Sequence, residues 1–543
     1  MYSSDFKSQE LGKLYENFIY LLIIIGLGLR LFHFFYNRSL WMDEIYLSTS
    51  LIKLNYKELI TGPLYYQQKA PILFLLATKA IVNLFGSKEI YLRIVPLLSS
   101  VVAIFLFVPV AKHFLKGYAA CLAIGIVCLS PALVYHSVEI KQYSTEFLAT
   151  ILSIYLLIKF KGKTDIRSLV FWGSSGALIL WFSYSAIFIL GGIGIGLSIN
   201  NLWQKKWGIV FKNLIPFTLW FLSFTINYLL FTHKHAESEW IAYWFRSYGN
   251  FMPLPPKSIS DLKWFAINIY RMLDYPLGLI WNFNNYGNSQ ALNMLLKMPF
   301  LPIIFIVIGF FAIVKNIVTE LLTLIIPILL MFLASGLELY PLTERFWVFI
   351  SPIFILILGK GFETTTYSFR QKWALLILVL MFIGPTVQSA ESLIKPNKFF
   401  VHKKSFQREA LSYLNENFKE GDAVYVYWNN LPGYRLYKDM YKYRYIAIEG
   451  SDQRKNALNY NDYYKNLEND FGKFSNNKRV WIVINSQFLT DIGDKIDEPK
   501  WYYDKKMSPE EHLLTELLKN YILVEKHKTK DVDVYLLEPL VKS

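Results

Sequence analysis

Apolar runs of membrane-spanning length recur from Phe18 to about residue 389, separated mostly by short polar loops. A bilayer core offers no water to a peptide group. A run of about 20 apolar residues is therefore confined to a helix, which pairs its own N–H and C=O groups. Composition agrees, with 54% hydrophobic and only 18% charged residues among the 543. The chain reads as an α-helical polytopic membrane protein. Its first run, Phe18 to Tyr36, is too long for a signal-peptide core and no small-residue cleavage site follows it, so it reads as a retained span.

The net charge of +15 invites a nucleic-acid partner, but the pattern excludes one. Many Lys and Arg residues sit between the apolar runs, where the positive-inside bias puts them, and there is no Arg-rich recognition helix. Cys121 and Cys128 fall seven apart in one run and read as small core residues, with no disulfide or metal spacing. Gly191-Gly-Ile-Gly-Ile-Gly196 lies within a run and reads as close helix packing, not as a nucleotide loop.

One run tests the topology. Ile72 to Phe85 is shorter than the roughly 20 residues a span needs, and carries Lys79 at its middle. It is expected to lie in the interface. The basic loops at Lys112–Lys116, Lys159–Lys163 with Arg167, Lys205-Lys206, Lys315, and Lys360 with Arg370 and Lys372 then all fall on one side. Eleven spans follow, near 18–36, 94–111, 118–136, 144–160, 169–183, 185–201, 208–231, 298–314, 317–335, 346–361 and 373–390, with the N-terminus cytoplasmic. The membrane domain covers 1–394, with outer loops at 37–92 and 232–297. Beyond 395 the composition turns to Lys, Asn, Asp and Tyr. Expected strands near 423–428, 479–485, 521–526 and 533–537 alternate with helices near 404–418, 455–469 and 508–520. Residues 395–543 thus read as a small extracytoplasmic α/β domain.

This topology gathers polar groups on the outer face. Asp43 and Glu44 follow the first span, where an intramembrane or interfacial carboxylate is more often functional than decorative. Gln68 and Lys69 precede Pro71, Arg93 heads a span, Glu139, Lys141 and Tyr143 follow the third, and Glu344-Arg345 precede the tenth. Carboxylates can take a proton from a nucleophile, and Lys or Arg can hold a departing phosphate. Each group also has a bland reading. Asp and Glu favour a helix's first turn, Lys69 can snorkel, Glu139, Gln142 and Tyr143 can be a solvated helix end, and Glu344-Arg345 an interfacial anchor. His233 and His235, beside Glu237, are weak metal candidates. No cofactor motif or zinc signature is present, and a divalent metal stays open.

The order Arg30…Leu40-Trp-Met-Asp-Glu44, Tyr65-Tyr-Gln-Gln-Lys-Ala-Pro71, Gly86…Arg93, Ser130-Pro131…Glu139-Ile-Lys-Gln-Tyr143 and Glu344-Arg-Phe346…Pro352 resembles membrane glycosyltransferases of the C superfamily. The group is that of the protein O-mannosyltransferases and lipid A aminoarabinose transferases, glycosyltransferase family 39-like, and the resemblance covers residues 17–390. It implies a GT-C fold and transfer of a hexosyl or pentosyl group from a polyprenyl-phosphate donor to a lipid, glycan or protein acceptor, with inversion, on the outer face of the cytoplasmic membrane. By position it implies Asp43 as general base with Glu44 beside it and Lys69 on the donor phosphate; Arg93 matches an Arg at the head of the following span, and Arg93 and Arg345 are expected as further cations on that phosphate. Tyr66, Gln68, Glu139, Lys141 and Tyr143 are further candidates. Ala70-Pro71 departs from the usual Pro-Pro, and the loop 232–297 has no counterpart. The competing expectation, a lipid-linked glycan flippase, would place charges near mid-bilayer, often in two related halves. Here they sit at loop edges.

Overall fold

The computed structural model describes residues 2–540 apart from 233–238, 283–292, 294–296, 316–318, 368, 370, 493, 495–498 and 504–505. Six of the described helices are long and apolar enough to cross a membrane: Gly12–Tyr36, Glu89–Phe114, Tyr143–Phe160, Ala186–Trp203, Trp207–Thr232 and Gln371–Ile394. The other expected spans fall on shorter apolar helices, among them Tyr118–Leu129, Ile166–Phe182 and Phe300–Lys315.

The expected span 118–136 is corrected to two helices, Tyr118–Leu129 and Pro131–His136, which meet at Ser130. Pro131 has no N–H to give, so the carbonyl of Val127, four residues back, loses its helical partner. Arg30, on the first helix and 1% exposed, fills the gap. Its Nη2 donates to the Val127 carbonyl at 2.9 Å, and its Nη1 to those of Cys128 at 3.0 Å and Gly26 at 2.9 Å. Its Nε donates to Ser100 Oγ at 2.7 Å. A guanidinium inside a membrane helix is tolerated because four acceptors meet it.

Lys79 has a similar explanation. Its ammonium is buried and donates to the carbonyls of Leu51 and Ile52 at 3.0 and 3.1 Å, at the end of the helix Met42–Lys53. It supplies the positive charge that a helix C-terminus favours. Close packing governs the rest of the bundle. A Cβ at Gly192 would lie 2.5 Å from Pro327, so the glycine run does seat one helix on another. The expected span 346–361 begins later, with Ser351–Thr366, after a short 3-10 turn at Glu344–Trp347.

The last 150 or so residues form a five-stranded mixed sheet of order β2-β1-β3-β5-β4. The strands are β1 Ala423–Val426, β2 Ile448–Glu449, β3 Val480–Asn485, β4 Tyr521–Lys528 and β5 Val532–Pro539. β2 and the helix Leu431–Tyr441 escaped the sequence reading, and the expected helix 455–469 is split into Tyr460–Asn466 and Glu468–Gly472. Side chains alternate across the sheet, as a period of two requires. Tyr425, Ile482 and Tyr535 face one core, which holds Tyr463 and Leu513. Val424, Val426, Trp481, Val483 and Val534 face another, which also holds Leu40, Ile45, Leu51, Phe74 and Ile140. The C-terminal sheet and the loop 37–92 therefore share one apolar core.

The helices Phe300–Lys315 and Ser351–Thr366 touch backbone to backbone, because a Cβ at Gly361 would overlap the Phe305 carbonyl and one at Gly309 the Ile357 carbonyl. Gly361→Val should force them apart and cost about 1–3 kcal/mol, read as a lower thermal unfolding midpoint in detergent.

Candidate active site

The chain leaves the first helix at Asn37, in the left-handed region at φ 46°, and re-enters helix at Met42. Successive helical residues point about 100° apart, so Asp43 and Glu44 separate. Glu44 turns inward and is fully buried. Its carboxylate accepts the N–H groups of Ile140 at 2.9 Å and Trp41 at 3.2 Å, and pairs with Arg38 at 3.0 Å and Arg93 at 3.9 Å. Arg93 was expected on a donor phosphate. It is sealed away instead, 0% exposed, with Nη1 donating to Asn37 Oδ1 at 2.5 Å and Nη2 to the Arg38 carbonyl at 2.7 Å. Glu44 and Arg93 thus stand behind the loop, and neither reaches the surface that Asp43 presents.

Asp43 turns the other way, and its side chain is 26% exposed. It accepts a hydrogen bond from Arg345, whose guanidinium also lies 5.6–5.8 Å from the ring centroids of Trp41, Tyr143 and Phe346. Arginine suits this place because its flat cation stacks on rings while its edge pairs a carboxylate. Burial alone would push the Asp43 carboxyl up. Arg345, and then Lys141 and Lys403, outweigh that and hold it below the usual carboxylate range. Lys141 is buried and donates to Gln68 Oε1 at 2.5 Å, which ties the segment after the third expected span to the first loop. There Tyr66 and Gln67 both take positive φ, 55° and 51°, and the Tyr66 ring stacks on Tyr46 at 4.4 Å.

Lys69 adjoins Gln68 and is half-buried. Among the described residues its ammonium has no hydrogen-bond or ion-pair partner, and burial pushes it below the usual lysine range. A desolvated, unpaired cation is a ready acceptor of an anion. Glu139 is buried deeper. One of its oxygens pairs with His136 Nδ1 at 2.6 Å, and the other has no hydrogen-bond partner among the described residues. His136 Nε2 meets the Tyr275 hydroxyl at 2.5 Å. Burial would raise Glu139, but His136, then Lys403 and Arg345, hold it at about 2.

The structure thus brings Asp43, Arg345, Lys141, Tyr143 and Gln68 together, with Tyr66 reached through Tyr46, whereas Lys69 is tied to them only as the residue after Gln68 in the chain. Sequence reasoning missed His136, Tyr275 and Lys403. The spacing of three between His136 and Glu139 could have exposed the first, whereas Lys403 carries no local signal. His233 and His235 lie outside the described residues. Among the described residues no group of three His, Cys, Asp or Glu is placed to hold a metal ion. An apolar cavity of about 390 Å³ between the helices Ala186–Trp203 and Trp207–Asn227 contains none of the candidates.

No protein-family model and no curated protein sequence matches the chain. Solved structures do. The structure of ArnT from Cupriavidus metallidurans bound to undecaprenyl phosphate superimposes with a TM-score of 0.51 at 12% identity, over 96% of this chain and 97% of that one. The apo oligosaccharyltransferase of Archaeoglobus fulgidus gives 0.51 at 12% identity, over 96% and 74%. At this identity the likeness is one of fold, and the chain has the GT-C fold.

The neighbouring carboxylates should separate in a stability experiment. Glu44→Ala strands two buried arginines and should cost about 3–5 kcal/mol. Asp43→Asn removes a partly exposed pair and should cost about 1 kcal/mol or less. Denaturant midpoints in detergent measure both.

Proposed function

We propose that this chain is a membrane glycosyltransferase that moves a sugar from a polyprenyl-phosphate donor to an acceptor hydroxyl, with inversion at the anomeric carbon. The observation that carries this reading is Asp43, a carboxylate kept ionised at a partly exposed surface on a helix locked from behind. The GT-C fold supports the reaction class, and the undecaprenyl phosphate bound to ArnT supports the donor class. The placement of the basic loops supports a cytoplasmic N-terminus, with Asp43 and the outer domain on the extracytoplasmic face of the cytoplasmic membrane.

In the proposed step the acceptor oxygen attacks the anomeric carbon and Asp43 accepts its proton. The bond from that carbon to the phosphate oxygen breaks, and its electron pair leaves on the phosphate. Lys69 takes up the charge of the departing phosphate, a task its unpaired ammonium suits. Arg345 keeps Asp43 ionised and aims it, and it is close enough to the same surface to meet donor phosphate. Lys141 and Gln68 join the loop of Lys69 to the segment of Glu139 and Tyr143. Glu44 and Arg93 act indirectly, by fixing the start of the helix that carries Asp43.

Asp43→Asn should lower sugar transfer at least 100-fold, within the range of general-base losses, measured as undecaprenyl phosphate released from extracted lipid-linked sugars. Full activity in that variant would sink the reading. Lys69→Met should weaken undecaprenyl phosphate binding about tenfold, the loss of one charge-assisted bond. A base held below the usual carboxylate range is ionised above that lowered value. Wild-type activity should therefore persist as the pH falls through the ordinary Asp range, and Arg345→Gln should move the acid limb up.

A further inference from the structure

Lys403 arrives from the segment that joins the last membrane helix, Gln371–Ile394, to the outer sheet. It is 5% exposed. Its ammonium pairs with Glu344 Oε2 at 2.8 Å and lies 4.2 Å from the centroid of the Tyr275 ring. Glu344 precedes Arg345 in the 3-10 turn and has a φ of 23°, a conformation that side-chain-bearing residues rarely adopt. That turn has to be held by contacts outside itself. The carbonyl of Lys403 meanwhile accepts from Arg38 Nη1 at 3.1 Å and from the Tyr135 hydroxyl at 3.2 Å. Arg38 is the partner of Glu44. One residue thus touches both supports of Asp43.

Residues a few positions after it fasten the segment around Arg38, Asn37 to Ser39. Ser39 donates to Glu409 at 2.6 Å, and Arg408 donates to the Asn37 carbonyl at 2.8 Å and pairs with Glu89 at 3.1 Å.

We propose that Lys403 is a positioning residue of the Asp43 site, setting the Arg345 turn through Glu344 and the Arg38–Glu44 side through its own carbonyl, so that the site is complete only when the outer domain is docked. This rests on Asp43 acting as the proton acceptor. The charged and titratable groups around Asp43 are Arg345, Lys141 and Lys403, with Tyr46 and Tyr143 beside them and Glu44 behind. Lys403 contributes positive charge to that set, and its loss should let Asp43 hold a proton at higher pH.

The test uses the full chain in nanodiscs as wild type, Lys403→Met and Lys403→Arg. Lipid-linked sugars extracted from bacterial membranes are the donor, and released undecaprenyl phosphate is followed against pH. Hydrogen exchange is read on peptides covering 38–46 and 343–350, with β3 and β5 as internal reference. Lys403→Met removes the ammonium and keeps the carbonyl, so it should move the acid limb up by about half a pH unit and raise exchange several-fold in 343–350 more than in 38–46 or the sheet, and Lys403→Arg should restore both. An unmoved acid limb, or exchange raised equally in the sheet, would make Lys403 a general stabiliser and overturn the proposal. A wild type that releases nothing counts against the transferase reading, and the exchange comparison then decides the positioning claim by itself.

Discussion

A carboxylate without access to water lies between two arginines just after the first membrane helix. Glu44 and Arg38 come from one stretch of chain and Arg93 from a second, and the Ile140 amide brings in a third. Such a cluster is costly to desolvate and unfavourable if any member is missing. It therefore has essentially one arrangement, and the first turn of the helix Met42–Lys53 inherits it. Asp43 gains a fixed direction because its neighbour has no freedom. The electrostatics of the exposed face rest on those of the hidden one.

The second constraint is the apolar core common to the C-terminal sheet and the first loop. Composition changes near residue 395, but the packing is continuous across that change. Leu40 and Ile45 lie in the same core as Val424 and Trp481, and the Leu40 amide donates to the Tyr437 hydroxyl at 2.9 Å. The loop that carries Asp43 is thus folded partly by residues made last.

The bundle was legible because lipid imposes a period and a length that sequence displays directly. Asp43 stood out because a carboxylate at the end of a span is costly there, but a helix's first turn accounts for it as well, and only the fold set it beside Arg345. Four of the five strands were legible from runs of Val, Ile, Tyr and Trp, and the two-residue β2 was too short to show a pattern. The break at Ser130 was missed because the run stays apolar across it, and only the proline argues for two helices. Glu44 and Arg93 could not be separated from Asp43 and Arg345 in the sequence. Burial depends on the angle between adjacent helical residues and on which face meets Ile140, and neither is a local property. Lys403 was hidden in a basic stretch, Lys403-Lys404, whose partners Glu344 and Arg38 are remote in the chain.

The contact between Arg30 and the broken helix bears on the order in which the protein is made. Arg30 enters the membrane with the first helix, yet two of its carbonyl acceptors belong to residues 97 and 98 positions further on. A guanidinium without acceptors is expensive in hydrocarbon and stays near the headgroups. The first helix therefore gains its full set of acceptors for Arg30 only once Val127 and Cys128 have been made and packed against it.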